Sequence, residues 1–115
     1  SCSRISDEIS DQIIPEPETL EVAIKNNTNY RFIRPEIILN NSTYVYQITE
    51  PNSYSGFYEM PYIYSEIDVR IKTEDKLYSF SPNSYNESSL VTEGRYYFEI
   101  NISTNDVLTI TRKKY

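Results

Sequence analysis

From residue 19 onward the apolar residues of this chain recur at every second position, in short runs closed by asparagine, serine and proline. That alternation is the signature of half-buried strands. Leu20, Val22 and Ile24 alternate with Glu21, Ala23 and Lys25 until Asn26-Asn27-Thr28-Asn29 ends the run. Tyr30 to Leu39 forms a second extended run, interrupted at Pro35. Proline cannot donate to a ladder, so this is an edge strand or a strand with a break. Asn40-Asn41-Ser42 reads as a turn, Thr43 to Thr49 as a strand, Glu50-Pro51-Asn52-Ser53 as a turn and Tyr54 to Met60 as a fourth strand. The most regular stretch follows. Ile63, Ile67, Val69 and Ile71 share one face with Ser65, while Tyr62, Tyr64, Glu66, Asp68, Arg70 and Lys72 take the other.

Beyond a turn at Thr73-Glu74-Asp75-Lys76 come a short strand, Leu77 to Ser81, and a polar loop, Ser81 to Ser89. Arg95 to Ile102 and Val107 to Arg112 then pair as a hairpin across Ser103-Thr104-Asn105-Asp106. Seven or eight strands spaced about ten residues apart predict an all-β fold, a single antiparallel β-sandwich. A chain of 115 residues holds one such core and not two. Residues 19–115 are the expected domain. Residues 1–18, with four isoleucines among Ser, Asp, Glu, Gln and Pro and the closing Pro15-Glu16-Pro17-Glu18, read as an N-terminal tether.

Two short segments resemble known patterns. Ser1-Cys2 is similar to the end of a bacterial lipobox, in which the cysteine is lipidated. The resemblance makes Cys2 a lipidation candidate and places the domain at the bacterial cell envelope, periplasmic or surface-exposed, with the lipid anchor as its sole membrane contact. Leu90-Val91-Thr92-Glu93-Gly94-Arg95-Tyr96 resembles the L-x-x-G-x-Y segment that precedes the penultimate strand in transthyretin-like and immunoglobulin-like sandwiches. One residue too many separates Leu90 from Gly94 unless Val91 takes the leucine position. The likeness implies a structural corner at Gly94 and Tyr96. Together they place the chain beside small bacterial lipoproteins with transthyretin-like or immunoglobulin-like domains.

Composition removes several functions. The chain has no His, one Cys and no Trp, so Ser-His-Asp and Cys-His nucleophiles and His-ligated metals are excluded. One cysteine makes no internal disulfide. No Ca²⁺-loop pattern is present, the two glycines lie far apart, and neither metal nor cofactor is expected. A net charge of -6 disfavours nucleic acid.

Tyrosine is abundant, with twelve in the chain. Tyr44, Tyr46, Tyr54, Tyr58, Tyr62 and Tyr64 fall within one stretch and are the candidates for a binding face, because a phenol offers an apolar plane and a hydroxyl. Strand tyrosines also pair across a sheet without binding anything, and half of these rings are expected in core or ladder. Sequons occur at Asn26, Asn40, Asn41, Asn86 and Asn101 and are read as a product of asparagine-rich composition. The expected function is non-catalytic: a cell-envelope lipoprotein domain binding a protein or glycan partner at the sheet face or at the loops around Asn52 to Gly56 and Pro82 to Ser89. The alternatives are an immunity-type inhibitor that covers a basic site on a toxic enzyme, and an adhesin or pilus-associated subunit with an open edge strand.

Overall fold

The computed structural model describes residues 18–115. Cys2 and nearly all of the expected tether lie outside the described residues. The described residues form eight strands: β1 (Leu20–Asn26), β2 (Glu36–Leu39), β3 (Ser42–Val45), β4 (Tyr58–Met60), β5 (Asp68–Lys72), β6 (Leu77–Phe80), β7 (Gly94–Ile102) and β8 (Leu108–Lys114). One turn of 3-10 helix, Glu87–Ser89, precedes β7. Two four-stranded sheets face each other, ordered β4-β1-β7-β8 and β3-β2-β5-β6. The fold is an all-β sandwich.

Among the described residues five of the six strand pairings are antiparallel; β1 runs parallel to β7, from Leu20 beside Gly94 to Asn26 beside Ile100. In the constant-type immunoglobulin order the first strand pairs with the second. Here β1 and β2 lie in opposite sheets, so that order is not the one observed.

The alternation of each strand sets the core. Leu20, Val22 and Ile24 of β1, Ile37 and Leu39 of β2, Val69 and Ile71 of β5, and Phe98 and Ile100 of β7 meet between the sheets. Ala23 on the opposite side of β1 is also buried. Its register partner is Tyr97, whose ring packs with Tyr54 and Tyr115 over this outer face. β1 is therefore covered on both sides at Ala23, while Glu21 and Lys25 flank it on the outer face.

Four expected strands are shorter than their alternation suggests; Thr43 to Thr49 is observed as Ser42–Val45 and Tyr54 to Met60 as Tyr58–Met60, with Thr49 and Tyr54 paired only through isolated bridges to Phe32 and Lys25. Of Tyr30 to Leu39 only Glu36–Leu39 is strand, and β2 lies inside its sheet, not at an edge. Pro35 is a break: the preceding Arg34 takes a φ of 52°, a left-handed conformation that costs a non-glycine residue about 1–3 kcal/mol. Pro35 is itself buried, and its carbonyl accepts from the Tyr46 N–H at 2.8 Å. Of Tyr62 to Lys72 only Asp68–Lys72 is strand. Ile63 and Ile67 are nonetheless fully buried, because Ile63 bridges Val91 through two backbone hydrogen bonds of 3.0 and 3.1 Å. The apolar period was correct for burial, while the backbone pairs outside the sheet.

Val91 takes the position before the corner that Leu90 leaves, for Leu90 is exposed and Val91 packs on the core. Gly94 then turns the chain at a φ of 111°, where its N–H donates to the Thr19 carbonyl at 3.1 Å. A Cβ there is strained whatever the space around it. Gly94→Ala is expected to destabilise the domain by about 1–3 kcal/mol in urea unfolding. A change below the error of the extrapolation would show that the corner relaxes.

The seams between sheets are closed by side chains. On one side the Tyr46 hydroxyl donates to the Val22 carbonyl at 2.8 Å, and the Tyr58 hydroxyl to the Val45 carbonyl at 2.7 Å. On the other, Lys76 and Tyr78 both donate to the Asp106 carboxylate. That pairing lowers the Asp106 pKa and raises that of Lys76.

Candidate functional site

The six candidate tyrosines separate into three groups. Tyr46 is buried in the core with its hydroxyl committed to Val22, and desolvation drives its pKa far upward. It is a strut and not part of a binding face, because a ring this enclosed presents no surface to a ligand. Tyr44 and Tyr58 pack beside it, Tyr58 against Tyr46 at 4.8 Å and against Tyr44 at 5.9 Å, and close the seam between β3 and β4. Tyr54 lies on the outer face of the other sheet. It meets Tyr97 at 5.0 Å and Tyr115 at 5.5 Å, and Lys25 lies 4.6 Å from its ring centre. The rings there, with Phe57 against Tyr115, meet at 50–87°, so they brace one another edge to face and form no flat platform.

Tyr62 and Tyr64 behave differently. The irregular segment before β5 brings them to a groove of about 280 Å³ at one end of the β3-β2-β5-β6 sheet. Tyr85 completes it from the polar loop, 5.3 Å from Tyr64 between ring centres. Its other walls are Ile38, Leu39, Ile67, Asn40 and Asp68. Asn40 occupies the first position of the two-residue turn between β2 and β3 with a φ of 56°, a conformation asparagine tolerates better than most residues. The Tyr85 hydroxyl donates to Asp68 Oδ1 at 2.8 Å, and that bond, with partial desolvation, raises the Tyr85 pKa. The Tyr64 hydroxyl donates to Glu87 at 3.3 Å; partial desolvation first and Glu87 second raise its pKa. Both phenols therefore stay neutral through the physiological range. Asp68 keeps most of its acceptor capacity, since a carboxylate offers about four lone-pair sites and Tyr85 uses one.

Tyr85 is not among the six candidate rings, although the loop that carries it, Pro82 to Ser89, is one of the two expected to meet a partner. That loop has no periodicity from which the ring's direction could be read. Tyr96, expected to tie the corner by its hydroxyl, instead lies with its ring under Arg112 at 5.3 Å and Lys114 at 5.0 Å. Arg112 in turn donates to the Ser89 carbonyl at 2.6 Å, fastening the 3-10 turn to β8. Among the described residues the tyrosine hydroxyls that reach backbone carbonyls are those of Tyr46 and Tyr58.

The sequon asparagines are equally uneven. Asn26 is fully buried, and its amide donates to the Tyr30 and Thr49 carbonyls at 2.7 and 3.0 Å. Its oxygen accepts from the Thr28 N–H at 3.0 Å and hydroxyl at 2.6 Å. Asn101 accepts from the Asn27 amide at 2.6 Å. Among the described residues no group of three His, Cys, Asp or Glu side chains comes together as a metal ion would require. No described helix is long and apolar enough to cross a membrane.

With this geometry in view, scans against family models, curated proteins and solved structures found no match to the chain. The functional reading therefore rests on the residues themselves.

Proposed function

We propose that this chain is a non-catalytic binding domain of a bacterial cell-envelope lipoprotein, tethered through a lipid on Cys2, and that its groove takes a glycan. The observation that carries the reading is the convergence of Tyr62, Tyr64 and Tyr85 with Asp68 and Asn40 around one open groove. A sugar ring carries C–H faces that pack on phenol rings and hydroxyls that need fixed acceptors and donors. Tyrosine supplies the first, and the carboxylate of Asp68 and the amide of Asn40 supply the second. The groove is displayed by a rigid sandwich through a turn and a loop, the usual setting for recognition.

Titration of the protein with defined cell-envelope oligosaccharides, followed by calorimetry, tests the reading. Tyr85→Ala and Asp68→Asn are each expected to weaken binding at least about tenfold while the thermal midpoint stays within a few degrees. Failure of the unaltered protein to bind any member of a broad glycan array would overturn the glycan assignment. The lipid tether is tested separately, by the intact mass of the Cys2-bearing protein recovered from membranes of its own host.

One observation favours a second reading, the adhesin or pilus-associated subunit. β8 is an edge strand of seven residues, long enough to accept an added strand. Arg112, Lys113 and Lys114 crowd its end with positive charge, which selects against indiscriminate pairing.

A further inference from the structure

The same outer sheet face that ends in the tyrosine groove changes character along β5. Successive outward residues are Asp68, Arg70 and Lys72, so the sign of charge reverses within about 13 Å of strand. At the positive end lies a bowl of about 480 Å³. It is lined by the cations Arg34, Arg70 and Lys72, by the single carboxylate Glu36, and by the aliphatic side chains Ile33, Val45 and Leu77. Leu77 is 64% exposed.

The concentration of cations is unexpected on a chain of net charge -6. Arg70 is partnered by Glu36 at 3.6 Å. No carboxylate among the described residues lies within salt-bridge reach of Arg34 or Lys72. The backbone is bent to place Arg34 there, in a left-handed conformation immediately before Pro35, a position where that conformation is already disfavoured. A surface residue held in such a conformation marks a place where the side chain's position matters more than local stability.

We infer that this bowl is a docking site for an acidic polypeptide segment, one that alternates carboxylates with apolar side chains. The carboxylates engage Arg34, Arg70 and Lys72; the apolar side chains cover Ile33, Val45 and Leu77. The charge is complementary, and the interleaved aliphatic surface distinguishes this occupant from a phosphate polymer, which has no use for an exposed leucine between the cations. The site stands apart from the tyrosine groove and does not depend on the glycan reading.

The test uses the full chain and a labelled, end-capped peptide of alternating glutamate and valine, with fluorescence anisotropy as readout. Its control carries glutamine in place of glutamate. The glutamate peptide is expected to bind, the control at least about tenfold more weakly, and added salt to weaken the complex progressively. The double variant R70E/K72E and the single variant Leu77→Ser should each reduce binding, the former at least about tenfold.

Arg34→Gly separates recognition from folding. Glycine adopts the required conformation without strain, so the variant should melt at a higher temperature than the natural chain yet bind the peptide more weakly. Equal binding of both peptides would overturn the proposal. So would a twenty-residue oligothymidylate that binds more tightly than the peptide and is indifferent to Leu77→Ser, which would assign the bowl to phosphate. Self-association of the unliganded chain, seen by sedimentation equilibrium and abolished by R70E/K72E, would overturn it in favour of a second copy.

Discussion

Asn26→Ala is expected to lower the unfolding free energy by about 2–4 kcal/mol, a large share of what a domain of this size has to lose. The asparagine is fully buried at the end of β1 and uses both halves of its amide. It donates to the carbonyls of Tyr30 and Thr49, and accepts from the backbone and hydroxyl of Thr28. It thereby pins the loop that leaves β1 to the segment that precedes Pro51. Alanine keeps none of these bonds and leaves the Thr28 N–H without its partner in a site with little access to water.

A second substitution checks the mechanism. Asn26→Asp retains the acceptor but sets a carboxylate oxygen where the amide had donated to two carbonyls. Burial and those carbonyls favour the neutral acid, so the new group's folded pKa lies above its unfolded value of about 3.9. Its stabilising, protonated form is present below that value and lost as pH rises through the folded pKa. Relative to the unaltered chain, Asn26→Asp should thus be least stable near pH 7 and recover part of the deficit toward pH 4. Urea unfolding at the two pH values decides the matter; a pH-independent deficit would show that the site opens to water.

The second large effect is alkaline. Tyr46 is held neutral by burial first, with its neighbours Tyr58 and Tyr44 adding to the shift, so its folded pKa lies far above the unfolded value of about 10. The sign follows directly: the stabilisation is complete below pH 10 and declines above it, as the unfolded chain releases a proton that the folded chain retains. The decline is about 1.4 kcal/mol per pH unit for this group. Tyr46→Phe removes the hydrogen bond to Val22 and should cost about 0.5–1.5 kcal/mol at pH 7. It also removes the titration. The two stability curves should therefore converge above pH 10 and cross near about pH 11. Tyr46→Ala, which also empties part of the core, should cost about 3–5 kcal/mol at any pH below that range. Parallel curves for the natural chain and Tyr46→Phe up to pH 11.5 would refute the assignment of Tyr46 as the dominant alkaline group.

How much of this was legible beforehand depends on the range over which each signal acts. The strands at Leu20 to Lys25 and Arg95 to Ile102, each one residue short of the observed Leu20–Asn26 and Gly94–Ile102, the turns at Asn40-Asn41-Ser42 and Ser103-Thr104-Asn105-Asp106, and the broken run at Pro35 were all readable, since alternation and turn chemistry are properties of neighbouring residues. The limits of the strands were less so. Ile63 and Ile67 keep the period of β5 yet stand outside it, because Ile63 finds its backbone partner in Val91, twenty-eight positions along the chain. Periodicity reports which side chains are buried; it does not report where the hydrogen bonds go.

The candidate site shows the same division. A clustering of tyrosines between residues 44 and 64 was visible, but the six rings looked alike. Only packing assigns Tyr46 to the core, Tyr44 and Tyr58 to a seam, Tyr54 to an outer aromatic cluster, and Tyr62 and Tyr64 to a groove that needs Tyr85 from a distant loop. Arg34, Arg70 and Lys72 gave no sign in one dimension, separated as they are by more than thirty positions between the first pair.

By itself, then, the amino-acid order determined the all-β class, the punctuation of the strands and, through the absence of histidine, the exclusion of histidine-dependent nucleophiles and histidine-ligated metals. These follow from period-two patterning, from turn residues and from side-chain chemistry, none of which requires knowledge of a partner strand. Tertiary structure alone decided the parallel pairing of β1 with β7 and the burial of Asn26 and Tyr46. It also decided the assembly of a tyrosine groove at one end of a sheet face and a basic bowl at the other. Those features are made of contacts between residues far apart in the chain, selected by the requirement that two apolar sheet faces close over one core.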